Sequence, residues 1–301
     1  MIKEFALDPK VICRFQQARY FLDQFGVPYG RMISRFPSAW TKQVYQSIKR
    51  LPDIEKLKIV ELLNQAQRKM VRSGRPYDPT LGWLQNAEKQ HLAKPFQAII
   101  STENPNSSLQ VLLAEEVTQN TQLWRVPTKA EVPRNARSVT AAIQPLISAA
   151  NKILLVDPHF DPSQQRFRAV LEHLARCAVN NSSCSPTIEY HVRSDFRGAP
   201  TFEHFKSQSL EKLPRLLPQN LEVRFVRWAE RLHGLQFHER YILTEFGGVK
   251  VDPGLDEGPE GHTFLLELDE YESIWARYSR NVSPTTYEFE GEFIVTGELA
   301  L

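Results

Sequence analysis

The stretch Phe237-His238-Glu239-Arg240-Tyr241-Ile242-Leu243-Thr244-Glu245, followed by Gly247-Gly248 and then Gly254-Leu255-Asp256-Glu257, decides how this chain is read. The run reads as a β-strand ended by a glycine turn. Strand side chains alternate between faces, so His238 and Arg240, two residues apart, are expected on the same one. An imidazole and a guanidinium there can converge on a single anion, and a planar guanidinium can hold two phosphate oxygens at once.

The segments around it alternate between two periodicities. A helix is expected over 138–150, then an apolar strand from Ile153 to Val156 running into Asp157-Pro158, then a helix over 164–178 with Phe167, Val170, Leu171 and Leu174 on one face. A strand over Thr187–Arg193, a helix near 202–213, a strand over 221–226, a strand over 263–268, a helix with Tyr271, Ile274, Trp275 and Tyr278 inward, and a strand over 286–293 complete the pattern. Strands interleaved with helices predict an α/β domain over 137–301, with a mixed, mainly parallel sheet and helices on both faces.

The spacing of His238, Arg240 and Glu245 resembles the His-x-Lys-(four residues)-Asp signature of the phospholipase D superfamily, with arginine and glutamate in place of lysine and aspartate. It is more similar still to the phospholipase D-like C-terminal domain of microtubule-interacting-and-transport proteins, where a His-Asp-Arg triplet, a glycine turn and a Gly-Leu-Asp follow one another. The first resemblance implies a phosphodiesterase, with His238 as nucleophile, Arg240 as phosphate clamp and Glu245 either orienting an imidazole or shaping the strand end. It implies no metal and no cofactor. A single motif copy implies a homodimer if the protein cuts, because a second histidine must come from somewhere. The second resemblance implies a degenerate module that binds nucleic acid or acidic lipid. The family's Gly-Ser-x-x-Asn segment is missing after the motif, which favours the degenerate form.

Other residues can contribute to such a site. His159, in Val156-Asp157-Pro158-His159, follows an apolar strand at the end where open α/β sheets collect ligands, and is the intrachain candidate for the second histidine. Asp157 and Asp256 accompany it, and His191 and Arg193 repeat the His-x-Arg spacing near a strand end. A satisfied strand residue and ordinary Asp-Pro loop chemistry are the plain alternatives for these positions. His233 and His238 lie five apart, not the four of a helical zinc pair, and no Cys-x-x-Cys supports them. No Gly-x-Ser-x-Gly elbow, Gly-x-Gly-x-x-Gly turn or Gly-Lys-Ser/Thr phosphate loop is present, against serine-hydrolase, dinucleotide and P-loop readings.

The first part, residues 1–126, is expected to be a mainly helical basic region. Asp53 looks like the N-cap of a helix with Ile54, Leu57, Val60 and Leu63 at helical spacing, ended by Ser73-Gly74-Arg75-Pro76. Two strand-like segments fall at 97–101 and 109–114, and 127–137, with its two prolines, is the expected linker. The net charge of +2 hides a gradient, since residues 1–96 carry +9 and residues 269–301 carry −5. A basic first part suggests an anionic partner, nucleic acid (DNA in particular) or an acidic lipid surface, or else a solvated helical surface. Cys13, Cys177 and Cys184 are too few and too scattered for a disulfide framework and suit a reducing, cytoplasmic compartment. Neither a signal peptide nor a membrane span is expected. The phospholipase D resemblance implies a metal-independent phosphodiesterase, a nuclease of a bacterial defence or mobile-element system where such standalone domains tend to occur, working with partner proteins of a multi-gene system. The alternative is a non-catalytic phosphate-binding module.

Overall fold

The computed structural model describes residues 1–180, 185–278 and 286–299, so Cys184 lies outside the described residues. The chain divides into two compact units, Met1–Thr128 and Lys129–Leu301. Both are α/β, the class expected from the sequence for the second unit.

The first unit contains β1 (Lys3–Leu7), α1 (Phe15–Gln24), β2 (Arg31–Arg35), α2 (Trp40–Ser47), α3 (Asp53–Gln65), β3 (Met70–Arg72), α4 (Trp83–Ala93), β4 (Ile99–Ser101) and β5 (Val111–Leu113). Its helices outweigh its strands, yet they are organised on a sheet of order β3-β2-β1-β4-β5, parallel throughout. Expecting a mainly helical region therefore misses the element on which the unit is built. β4 and β5 fall within the strand-like segments expected at 97–101 and 109–114, whereas β1, β2 and β3 were not anticipated as strands. The two-residue alternation sorts its core. Phe5, Leu7, Ile33 and Ile100 pack on one side with Phe21, Phe25 and Trp124, while Ala6 and Ile99 face Leu84, Ala87 and Phe96 on the other. The order reverses between β1 and β4, where Ser101 donates to the buried Asp8 at 3.2 Å.

The second unit begins with β6 (Lys129–Glu131), followed by α5 (Ala136–Ile147), β7 (Lys152–Val156), α6 (Gln165–Asn180), β8 (Thr187–Arg193), α7 (Phe202–Lys212), β9 (Glu222–Glu230), β10 (Tyr241–Thr244), β11 (Gly247–Asp252), β12 (His262–Leu265), α8 (Leu268–Tyr278) and β13 (Tyr287–Thr296). The sheet order is β13-β9-β8-β7-β10-β11-β12-β6. It is mixed, as expected, but its parallel pairings are confined to the central β7-β8-β9, and both flanks are antiparallel. The expected linker is partly structure: β6 pairs with β12 as the edge of this sheet.

Helices cover both faces. Tyr271, Ile274 and Tyr278 of α8 pack with Leu154, Val156, Val226, Trp228 and Leu243. On the opposite face Phe160, Tyr190, Phe225 and Phe293 stack, with Phe205 of α7 edge-on to Phe225 and Phe167 of α6 against Phe160. Burying each such ring stabilises the fold by roughly 2 kcal/mol. This aromatic wall lies directly beneath the carboxyl end of β7, where the polar residues gather. No helix of the described residues is long and apolar enough to cross a membrane.

Candidate anion-binding site at the carboxyl end of β7

β7 is apolar from Ile153 to Val156 and is followed directly by Asp157, which is 1% exposed. A carboxylate so deeply placed needs donors. Oδ1 of Asp157 accepts the His159 N–H at 2.9 Å, and Oδ2 accepts the Leu255 N–H at 2.8 Å. These bonds tie the end of β7 to the loop between β11 and β12. Burial pushes the Asp157 carboxyl up to about 6, while the two N–H groups and Arg240 pull the other way.

The loop is held from its far side as well. Asp256, also buried, is gripped by Arg134 and by Arg166, the latter at 3.2 Å, and Glu257 accepts the Ala136 N–H at the start of α5 at 3.1 Å. Gly258 lies so close that a Cβ there would come within 2.6 Å of the Arg134 guanidinium. Neither arginine stood out in the sequence. The Gly-x-x-x-Gly spacing of Gly254 and Gly258 was the available signal for a side chain pressed against that loop.

Arg240 immediately precedes β10. Because β10 runs antiparallel to β7 with Tyr241 opposite Val156, Arg240 falls beside Asp157 at the same sheet end. Its guanidinium makes no hydrogen bond or ion pair among the described residues, although its Nε is buried. It acts electrostatically on both Asp157 and His159. The exposed His159 ring stands edge-on to Phe196 at 5.3 Å. Partial burial, then Arg240 and Arg193, lower its pKa, with Asp256 opposing, which favours the neutral imidazole.

The remaining expected site residues go elsewhere. The antiparallel pairing carries Glu245 to the amino end of β7, about 17 Å along the chain from Arg240. There it accepts the Asn151 N–H at 2.7 Å, the Asn151 side-chain amide at 2.9 Å and the Lys152 N–H at 3.2 Å. Of its two expected roles it takes the one of shaping the strand end, and orienting an imidazole beside Arg240 is out of its reach. His191 points to the opposite face, where its Nδ1 accepts the Trp228 indole N–H at 3.0 Å and Glu189 lies 3.6 Å from Nε2. Period-two alternation from Tyr190 forces that orientation, so His191 packs against α8 and not into the site. Arg193 neighbours His159 but is committed to Asp195 at 2.7 Å and Glu230 at 2.8 Å.

His238 is not within a strand, because β10 begins only at Tyr241. It is exposed, and its ring partner is Glu239 at 3.3 Å, which also binds Lys250 at 2.6 Å. No ring contact or hydrogen bond joins His238 to another histidine among the described residues. No group of three or more His, Cys, Asp or Glu among those residues is arranged to hold a metal ion.

A cleft of about 490 Å³ opens beside His159, walled by Phe160, Arg166, Phe196, His204 and Gln208. His204 lies near the start of α7, where nothing in its sequence neighbourhood marked it.

No known family model matches the chain, and no curated protein matches it. Among solved structures it is similar to TrmBL2, described as an archaeal chromatin protein with a novel mode of DNA binding, at 12% identity, over 87% of this chain and 92% of that one, with a TM-score of 0.25.

Proposed function

We propose that this chain binds a phosphate-bearing ligand, nucleic acid foremost, at the carboxyl end of β7, and that it serves as a recognition module and not as a phosphodiesterase. The observation that carries this reading is the uncommitted guanidinium of Arg240. Arg134, Arg166 and Arg193 are bound to carboxylates, whereas among the described residues the Arg240 guanidinium has no such partner and retains its donors for an incoming oxyanion. A half-buried guanidinium meets a phosphate in a medium of reduced dielectric, where charge-assisted hydrogen bonds are strongest. The neighbouring neutral His159 can donate or accept one more hydrogen bond.

The cleavage reading has less support. A covalent phosphohistidine route requires one histidine to attack and another to protonate the leaving oxygen. His238 is exposed and paired with Glu239, and Glu245 belongs to the other end of the strand.

The test is equilibrium binding of single-stranded and duplex DNA, RNA and acidic liposomes across a salt series. Nucleic acid should bind with a steep salt slope, and Arg240→Ala should weaken it by roughly tenfold and lower the slope by about one. A preference for liposomes, or no effect of Arg240→Ala, would overturn the assignment. Incubation with the same nucleic acids in EDTA tests the rival. Strand cleavage lost in His238→Ala would establish the phosphodiesterase instead.

A further inference from the structure

The cleft beside His159 has a composition that a phosphate site alone does not call for. Resting on the anion-binding reading above, we propose that it is a nucleobase pocket, so that the ligand unit recognised is a nucleotide with its phosphate at Arg240 and His159 and its base against Phe196. The cleft volume of about 490 Å³ falls in the range of small-ligand sites and exceeds what a bare phosphate fills.

Its walls suit a flat heterocycle. Phe160, Pro162, Phe196, Pro200 and Phe205 supply apolar surface. Phe160 and Phe205 are buried in the aromatic wall beneath the sheet end and form a rigid floor, whereas Phe196 is half-buried and offers ring surface to the opening. The edge-on contact of Phe196 with His159 fixes the boundary between the aromatic part and the anion-binding part at 5.3 Å between ring centres. A nucleotide whose phosphate meets His159 therefore has its base within reach of Phe196.

The polar groups of the cleft are of the kind that reads base edges. Gln208 and His204, one turn apart on α7, present an amide and an imidazole that can each donate and accept. His204 has no side-chain partner among the described residues, and Gln208 makes only a 3.4 Å contact with Glu211. Asp161, by contrast, is already engaged by the Ser163 N–H at 2.8 Å and the Gln164 amide at 2.7 Å, so it shapes the wall and does not repel the ligand at full strength. Arg166, fixed by Asp256 and by Gln164 at 2.9 Å, adds positive potential at the rim.

The experiment is calorimetric titration of the full chain with inorganic phosphate, with AMP, GMP, CMP and UMP, and with short single-stranded and duplex oligonucleotides. Mononucleotides should bind about tenfold tighter than inorganic phosphate, the scale of one base–aromatic stack. Phe196→Ala should bring that ratio towards one, and Gln208→Leu, on a partly exposed helix face, should lower it for some bases more than others. Equal affinity for phosphate and mononucleotides, or an unchanged ratio in both variants, would overturn the base pocket while leaving the anion site standing. Failure of every phosphate compound to bind would remove both. Single-stranded oligonucleotides binding more tightly than mononucleotides and duplex would identify the source as a polymer, and mononucleotides binding as tightly as oligonucleotides would identify a free nucleotide.

Discussion

Replacing Asp157 with asparagine should change how the stability of the second unit depends on pH. The carboxyl is fully buried and its pKa is raised from 3.8 to about 6. The folded state thus holds the proton more tightly than the unfolded chain does, and ionisation penalises folding. The penalty is absent well below pH 3.8, grows as pH rises between the two values, and is complete above the folded one. A shift of this size corresponds to about 3 kcal/mol in full, of which about 2 kcal/mol accumulates between pH 4 and pH 7. Asparagine cannot ionise, so this part of the pH dependence disappears. It also cannot accept both N–H groups, because its amide nitrogen would face either that of His159 or that of Leu255. That mismatch costs about 1–3 kcal/mol at every pH. The variant should therefore be clearly less stable than the wild type at pH 4, with the gap closing by about 2 kcal/mol at pH 7. Urea unfolding read by pulsed hydrogen exchange on peptides from β7, β8 and β9 reports this unit separately from the first. A gap that stays constant from pH 4 to pH 7 would refute the burial argument.

Two further substitutions separate structure from function. Glu245→Ala should lower the stability of the second unit by about 1–2 kcal/mol through the loss of the bonds to Asn151 and Lys152, and should leave phosphate affinity unchanged in the same titrations; lost affinity would return Glu245 to the site. In the first unit, Arg75→Ala should cost about 3–5 kcal/mol, because Glu4 would be left with only the Ser34 hydroxyl for its charge, and the unfolding midpoint of β1 and β2 peptides measures it.

Much of the second unit was legible in the sequence. Thr187–Arg193 is the strand it was expected to be, and α6, α7 and α8 lie within two or three residues of their apolar stripes, because a long element repeats its period often enough to be read. Asp157 and His159 could be placed at a sheet end because an apolar run breaking at Asp-Pro is a local signal. In the first unit β4 and β5 were legible as strand-like segments but β1, β2 and β3 were not, and the sheet itself had no local signal because parallel pairing joins segments distant along the chain.

Partnership was decided only by tertiary structure. His238, Arg240 and Glu245 sit within eight residues, yet antiparallel pairing with β7 puts Arg240 at one end of that strand and Glu245 at the other. Arg134 and Arg166, far apart in sequence, meet on Asp256, while Arg240 has no carboxylate partner among the described residues. The residue types that can bind an anion are written in the sequence, but which of them remain available depends on which charges the fold has already neutralised.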